Sequence, residues 1–599
     1  MRQIERSYQE VRRRAPSGEA VAVAAARRES VDAALAMLDA GGNAADAAVA
    51  CGFVAGVVEP METCLAGSGF LLAWDPADGR ATAVDFPPRA PLAARPDLFE
   101  VVSSEGASRL LGVSAVRDDA NTEGILAPGV PGTIAGLLAA HERLGRLPRP
   151  QVLEPAIRAA TDGFPVDAYH ALHALDHLET LRAHPDAAAV HLDARGLPPV
   201  PAFLGEATLG TPPLLRQPDL ARTLEIVAEH GAEGFYAGEV ARAIERHFAV
   251  HGGLITRDDL AAYRPLVGPP LRVRYRGADV FAPVSPCGAW TALQILRALE
   301  RLDLDPSPAA GPDALNAVIV ASRRAFADRY HWLGDPDHVA VPLRGLLSDD
   351  YAAETAAAIR AGDPGPRFDL PDGYPWEVLA FAAAGDPWPH DDDPVRRPEY
   401  RPAHPATVAR DGHGTTHFAV VDGDGMMVSC THTAGNAFGS KVVAEGTGLL
   451  FDAAMVWFNA VPGAANSIAP RKRPLVNMSP LLAVDDGRAR VTVGAPGGRR
   501  IIDAVAQVLA NVLDRGLALQ EAIDAPRVDA SGATVLASER LGPAVIDGLV
   551  ARGHDVVAVR EEHAPFGYEF ARPVGVEVTP DGRRSGAVDA RTQGHAAAA

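Results

Sequence analysis

Apolar residues recur at helical spacing over 31–40, stop at Gly41-Gly42, and resume after Asn43 as far as Val58. Ser30 and Asn43 stand where N-caps belong and the glycine pair stands where a helix ends, so two successive helices are predicted. Past Glu59-Pro60 the period changes. Gly67-Ser68-Gly69 leads into the apolar run Phe70-Leu71-Leu72-Ala73-Trp74, Asp78-Gly79 marks a hairpin turn, and 81–86 forms the partner strand. Helical patterns dominate 131–361, broken by Gly and Pro, and include 219–250 and 289–302. After Thr415 short strands return at 415–421, 426–433, 479–484 and 490–493, and a helix over 501–514 follows Gly497-Gly498. There is no internal repeat and no heptad pattern.

One stretch breaks this order. From about 363 to 414 the chain is rich in Pro, Asp, Arg and His, a composition that buries little and reads as a mobile linker. His390 beside Asp391-Asp392-Asp393 has metal-ligand residue types, but a solvated acidic loop is the simpler reading, and no metal is expected. The 599 residues are 47% hydrophobic, ample for a large core, and the formal charge of −20 argues against nucleic acid or an anionic membrane as partner. Cys51, Cys64, Cys287 and Cys430 are scattered without metal or CxxC spacing and read as small buried residues. Residues 1–14 are charged and lack an apolar h-region, and 44–58 is too short to span a bilayer, so a cytoplasmic protein is expected.

The linker ends at Gly414, and a strand begins abruptly at Thr415. Asp422-Gly423-Asp424-Gly425 is a strong hairpin turn. With the turn centred on Asp424, Thr415 lies opposite Thr433 and His417 opposite Thr431, and parity puts all four side chains on one face. A break before Thr415 would give one residue both a hydroxyl nucleophile and a free amine to act as its base. A free α-amine titrates at about 7.7–8.0, so an appreciable fraction can accept a proton near neutrality. Thr433 is placed to orient the Thr415 hydroxyl, and Pro496-Gly497-Gly498, before a helix, offers unblocked N–H groups for an oxyanion. His417 shares the face but reads as a structural histidine. There is no GxSxG, HExxH or GxxxxGK[ST] motif.

At this point the chain resembles, nearly end to end, the γ-glutamyltransferase (γ-glutamyltranspeptidase) family. The resemblance rests on many stretches in order, among them Ala40-Gly41-Gly42-Asn43-Ala44-Ala45-Asp46, Gly56-Val57-Val58-Glu59-Pro60, Ala127-Pro128-Gly129-Val130-Pro131-Gly132-Thr133, Leu333-Gly334-Asp335-Pro336-Asp337, Lys472-Arg473-Pro474-Leu475, Pro496-Gly497-Gly498 and Asp524-Ala525-Pro526-Arg527. It implies a mixed α/β (α+β) fold, the four-layer αββα sandwich of N-terminal-nucleophile (Ntn) hydrolases. It also implies self-cleavage between Gly414 and Thr415 into a large subunit, 1–414, and a small one, 415–599, that remain one intertwined domain. Such pairs also assemble as a homodimer of heterodimers in one reading. By motif Thr415 matches the family nucleophile, Thr433 its hydroxyl partner, and Gly497 and Gly498 the oxyanion glycines. The mechanism calls for no cofactor and acts on a small-molecule substrate.

The departures concern the grip on the γ-glutamyl group. The arginine that holds its α-carboxylate falls on Pro87, with Arg89 two residues on. An expected asparagine falls on Gly435, with Asn436 adjacent. The acidic partner of the α-ammonium falls near Trp457, and the serine pair before Met478 is Val476-Asn477. The glycine-rich turn reads Cys64-Leu65-Ala66-Gly67, and 459–470 is short where many members carry a lid. Losing both charged anchors disfavours a zwitterionic acyl group. The expectation is a hydrolase with an altered acyl pocket, in which Arg89, Arg499 and Arg500 are candidate carboxylate anchors and Asn436, Asn477, His432 and Trp457 further substrate contacts. Family branches of this kind include acylases, oxamate hydrolases, and a C–C bond hydrolase acting beside a keto acid in antibiotic biosynthesis. The alternatives are a true γ-glutamyl hydrolase or transpeptidase with relocated anchors, and an inactive binding homologue.

Overall fold

The structure is a computed structural model and describes residues 13–108, 113–199, 213–307, 310–365, 414–532, 534–562, 567 and 569–599. The proposed linker therefore lies, from 366 to 413, outside the described residues, as do His390 with its aspartates and most of the charged N-terminus. Among the described residues no helix is long and apolar enough to cross a membrane.

In chain order the principal elements are β1 (Ser17–Gly18), β2 (Ala22–Ala25), α1 (Arg28–Asp39), α2 (Ala44–Val58), β3 (Ser68–Asp75), β4 (Arg80–Phe86), α3 (Thr133–Leu144), α4 (Arg149–Asp162), α5 (Ala168–Asp176), α6 (Pro218–Tyr236), α7 (Glu239–His251), β5 (Leu266–Gly268), β6 (Leu271–Tyr275), β7 (Ala278–Ala282), α8 (Gly288–Glu300), α9 (Pro312–Trp332), β8 (Thr415–Val421), β9 (Met427–Thr433), β10 (Leu481–Asp485), β11 (Arg488–Gly494), α10 (Arg500–Arg515), β12 (Val574–Val578), β13 (Arg584–Val588) and β14 (His595–Ala598). One sheet runs β14-β2-β8-β9-β3-β4-β5 and the other β1-β13-β12-β11-β10-β7-β6. Each sheet combines strands from before residue 414 with strands from after it.

Side-chain parity makes these sheets the middle of a four-layer αββα sandwich. Ala419, Val421, Leu72 and Trp74 from the first sheet meet Phe281, Leu482, Val574 and Val576 from the second. The opposite face of the first sheet, through Phe418, Val420, Val428 and Cys430, packs on α1 to α7. The outer face of the second packs on α8, α9 and α10. All four cysteines are buried and unbonded to one another.

The innermost helix, α2, is buried at every position. Asn43 caps it as expected, accepting from the N–H groups of Ala45 and Asp46 while Asp46 accepts from Asn43 N–H at 3.0 Å. A second acid reaches the same helix end. Asp422, in the β8–β9 turn, accepts from Ala44 N–H at 2.8 Å and, through its other oxygen, from Met426 N–H at 3.0 Å. A carboxylate at a helix N-terminus is favoured by the helix dipole, so one residue both closes the hairpin and docks it on α2.

Some boundaries differ from the sequence reading. The first helix starts at Arg28, with Arg27 in the cap position, and Ser30 is a buried residue inside it. The segment 219–250 is two helices, α6 and α7, separated at Ala237-Gly238. The stretch read as helical also contains β5, β6 and β7. Strand β10 begins only at Leu481, after Pro480, which has no N–H to give a ladder.

Gly69 lies where β3 is sandwiched between β4 and β9. A Cβ there would stand 2.5 Å from the Phe86 ring and the Thr431 carbonyl oxygen and 2.7 Å from His432 Cβ. Two of those neighbours are backbone or backbone-adjacent and cannot swing away. Gly69→Ala is expected to lower stability by about 1–3 kcal/mol, read as a reduced Tm in a thermal melt; an unchanged Tm would show that the three strands are not packed this closely.

Candidate active site

The hairpin register is the one its turn predicts. Thr415 pairs with Thr433, Thr416 with His432 and His417 with Thr431 across β8 and β9. The odd-numbered side chains of β8 therefore point between the two sheets and the even-numbered ones toward α2. Thr415 Oγ1 lies 2.9 Å from Thr433 Oγ1, and both residues are buried.

The carbonyl oxygen of Gly414, the last atom group before Thr415, is surrounded by donors. Thr433 Oγ1 donates to it directly, and the N–H groups of Ala434 and Gly435 both stand 3.2 Å away. Gly435 N–H also donates to Thr433 Oγ1 at 3.0 Å. Since Thr433 gives its proton to the carbonyl and accepts from Gly435, the Thr415 hydroxyl is the donor in the Thr415–Thr433 bond. The loop can bring these groups together because Gly435 adopts φ of 82°, a conformation that favours glycine. Gly414 is equally constrained, for a Cβ on it would strike the backbone of Asn436.

A narrow cleft of about 40 Å3 opens at Thr415, with Glu59, Glu62, Tyr169, His417 and Pro496 among its walls. Glu62 was not singled out from the sequence. It is buried, and its Oε2 accepts from the Thr415 N–H at 3.0 Å. The signal available was an acid four residues past the end of an apolar helix, too common to stand out. His417 Nδ1 bonds Thr431 Oγ1 at 2.7 Å, and burial lowers the imidazole to about 3, so it stays neutral and is a poor base. Burial raises the Glu59 carboxyl to about 7, while the Thr416 hydroxyl moderates the rise.

Pro496 lines the cleft, and two glycines follow it in the chain. Gly497 and Gly498 have φ of 142° and 61°, and a Cβ on Gly497 would stand 2.5 Å from Ala571. This bend is restricted to glycine by its backbone as well as by any ligand it serves.

The expected substrate contacts divide. The indole edge of Trp457, in a short 3-10 turn (Ala454–Trp457), is 3.3 Å from where a Gly435 Cβ would be, beside Thr433. Asn436 abuts Gly414 through its backbone, while its side-chain oxygen accepts from Ala437 N–H at 2.9 Å. Arg89 is half-buried, with its guanidinium 5.7 Å from the centre of the Tyr263 ring. Its backbone pairs with Val130, next to Gly129, which packs on Ala454 of the Trp457 turn. Pro87, which stands in the arginine position, accepts from the Tyr263 hydroxyl at 2.8 Å.

Three other candidates are corrected. Arg499 Nε donates to Ser531 Oγ at 3.1 Å, and with Arg500 it counters the buried Asp529 carboxyl, whose pKa burial raises. Arg499 stands at the cap of α10 and reaches Ser531, although it follows Gly498 in sequence. Asn477 is held by Arg329, whose Nη2 donates to its side-chain oxygen at 2.9 Å. His432 has the parity opposite to Thr415. It faces α2, where Nδ1 bonds Thr63 Oγ1 at 2.7 Å and the ring meets Phe418 edge-on.

Comparison with known proteins finds similarity along nearly the whole chain. The profile of the gamma-glutamyltranspeptidase family matches residues 30–599. The glutathione hydrolase proenzyme of Escherichia coli (strain K12) is 33% identical over 570 residues, spanning 93% of this chain and 88% of that protein. The acylase ACY 1 proenzyme of Pseudomonas sp. (strain V22) is 34% identical over 561 residues, spanning 93% and 90%. The crystal structure of cephalosporin acylase from Bacillus halodurans superposes with a TM-score of 0.80 at 25% identity and covers 100% of this chain and 99% of its own.

Two substitutions separate the roles of the paired hydroxyls. Thr415→Ala, which removes the attacking oxygen, is expected to leave a single 599-residue chain on a denaturing gel. Thr433→Ala, which removes one of the three donors to the Gly414 oxygen, is expected to slow the appearance of the 415–599 fragment by about a hundredfold. A Thr415→Ala protein that still splits there would exclude this threonine as the nucleophile.

Proposed function

The chain belongs to the gamma-glutamyltranspeptidase family, and from that premise we propose that it cuts itself before Thr415 and then uses Thr415 to hydrolyse an acyl substrate other than γ-glutamyl. That it is a hydrolase with an N-terminal nucleophile, made as a proenzyme, follows from the family and its relatives. The observation that carries the residue assignment is the Gly414 carbonyl oxygen held by Thr433, Ala434 and Gly435 beside the Thr415 hydroxyl.

Self-cleavage then proceeds as an N-to-O acyl shift. Thr415 Oγ1 bonds to the Gly414 carbonyl carbon as its proton passes toward Thr433. The negative charge that develops on the carbonyl oxygen falls where two N–H groups and a hydroxyl already point. The carbon–nitrogen bond breaks, the nitrogen takes the proton that left the Thr415 hydroxyl and was relayed through Thr433, and leaves as the Thr415 amine, and water cleaves the resulting ester. In turnover the same hydroxyl attacks the substrate, with the new amine as base and the Gly497-Gly498 bend as the donor set for the second oxyanion.

The acyl pocket favours a carboxylate without a neighbouring ammonium. Trp457 stands in the position of the acid that would pair with an ammonium, and it is packed against Gly435. An ammonium there would be desolvated without its carboxylate partner, a cost that a cation–π contact of about 0.5–2 kcal/mol with the indole does not offset. Arg89, near the same turn, supplies a cation for an acyl carboxylate, and its bidentate fork suits that group. This reading covers an amide or a C–C bond beside a keto acid, with hydrolysis preferred to transfer because the 459–470 segment is short.

The test uses two anilides that differ only in the ammonium. Glutaryl p-nitroanilide is expected to have a kcat/KM at least about tenfold above that of γ-glutamyl p-nitroanilide, the cost of one poorly paired charge. Arg89→Ala is expected to raise KM for the glutaryl compound with little change in kcat. Preference for the γ-glutamyl compound would favour a glutathione hydrolase with relocated anchors and overturn the altered-pocket reading.

A further inference from the structure

Glu62 has no part in the chemistry described so far, yet its contact with the Thr415 N–H is direct. The residue sits in the turn that ends α2, where its N–H donates to the Glu59 carbonyl at 2.8 Å. Its own backbone carbonyl accepts from Ala434 N–H at 3.2 Å, which ties this turn to the loop that holds the Gly414 oxygen. The carboxylate is buried; it accepts from the Thr415 N–H at 3.0 Å through one oxygen and from the Tyr169 hydroxyl of α5 through the other. Accepting through both oxygens is the role of the ionised form.

Resting on the reading of Thr415 as a new chain end, we propose that Glu62, steadied by Tyr169, is the positioning residue for the amine that cleavage creates, holding it beside the Thr415 hydroxyl and setting the pH at which it becomes a base. The amide nitrogen already lies within hydrogen-bonding distance of Glu62, and once cut it carries three hydrogens and a positive charge. The bond then becomes charge-assisted, stronger and more directional than the one it replaces.

The sign of the pH effect follows. An opposite charge this close favours the protonated amine, so the amine titrates above the free-chain value of about 7.7–8.0. Only the neutral amine accepts the Thr415 proton. Activity therefore rises with pH through the raised pKa, on an acid limb displaced to alkaline pH, and the amine is the stronger base once neutral.

The charged and titratable groups around the cleft are Arg27, Glu59, Glu62, Tyr169, His417 and Arg572. Arg27 is paired with Asp167, and Arg572 donates to the carbonyls of Glu562 and Gly567. His417 stays neutral above about 3, and Glu59 titrates at about 7. Among the described cleft residues Glu59 is therefore the other acid whose charge changes in the same range, and the experiment includes it.

The measurement needs no substrate. Mature protein is acetylated with limiting acetic anhydride over a pH series, and modification of the Thr415 α-amine is read by mass spectrometry against an added threonyl dipeptide. The wild-type amine is expected to titrate above the dipeptide. Glu62→Gln is expected to lower it by about one unit, a tenfold rise in the neutral fraction near pH 7, and Glu59→Gln to move it less. Tyr169→Phe, which removes a donor from the carboxylate and so strengthens its hold on the amine, is expected to move it upward. If Glu62→Gln stays a single chain, the Tyr169→Phe shift decides. A merely structural Glu62 would lower the yield of folded protein and leave the titration where it was. An unmoved amine in Glu62→Gln, a larger shift in Glu59→Gln, or an unmoved or downward-shifted amine in Tyr169→Phe overturns the assignment. A wild-type protein with no free amine at Thr415 is seen on the gel beforehand, and it overturns the cleavage reading on which the assignment rests.

Discussion

The pairing of Thr415 with Thr433 across two buried strands is the constraint on which the rest of this molecule depends. Strand register is all-or-none, and a slip of one residue would replace Thr433 by a side chain of the opposite face. In the observed register one hydroxyl, that of Thr433, touches both the Thr415 oxygen and the Gly414 carbonyl oxygen. The register is secured at its far end by Asp422, which closes the turn and docks on α2. A capping interaction at one end of a seven-residue strand thus fixes the geometry around the Gly414–Thr415 bond at the other.

The sandwich also explains how a broken chain keeps its shape. Both sheets contain strands from before and from after Gly414, so neither part has a main sheet of its own. Separating them would expose the apolar layer between the sheets and the faces packed on α2, a large loss of buried area. A break before Thr415 would therefore free one amine and one carboxylate while the ladders on either side stay intact.

Much of this was legible in the sequence, and the reasons differ from residue to residue. The Asp422-Gly423-Asp424-Gly425 turn and strict alternation are local signals, and they gave the strand pairing directly. Alternation was also present in Leu271-Arg272-Val273-Arg274-Tyr275, yet β6 and its neighbours were absorbed into a stretch read as helical. The same parity rule would have put His432 on the α2 side. Arg499 shows the limit of adjacency: it follows the glycine bend, but the first turn of α10 sends its side chain to Ser531. Glu62 shows the limit of any one-dimensional reading, because its contact with Thr415 joins residues 353 apart in the chain.

The central claim is that the Thr415 hydroxyl, the Thr433 hydroxyl and the Gly414 carbonyl react within one folded chain. The most direct measurement is the intact mass of freshly refolded wild-type protein, followed over time at several dilutions. The account predicts that a fragment beginning at Thr415 and ending at Ala599 appears with a first-order rate that does not change on dilution. A rate that scales with protein concentration, a different new terminus, or active protein that remains one unbroken chain would contradict it.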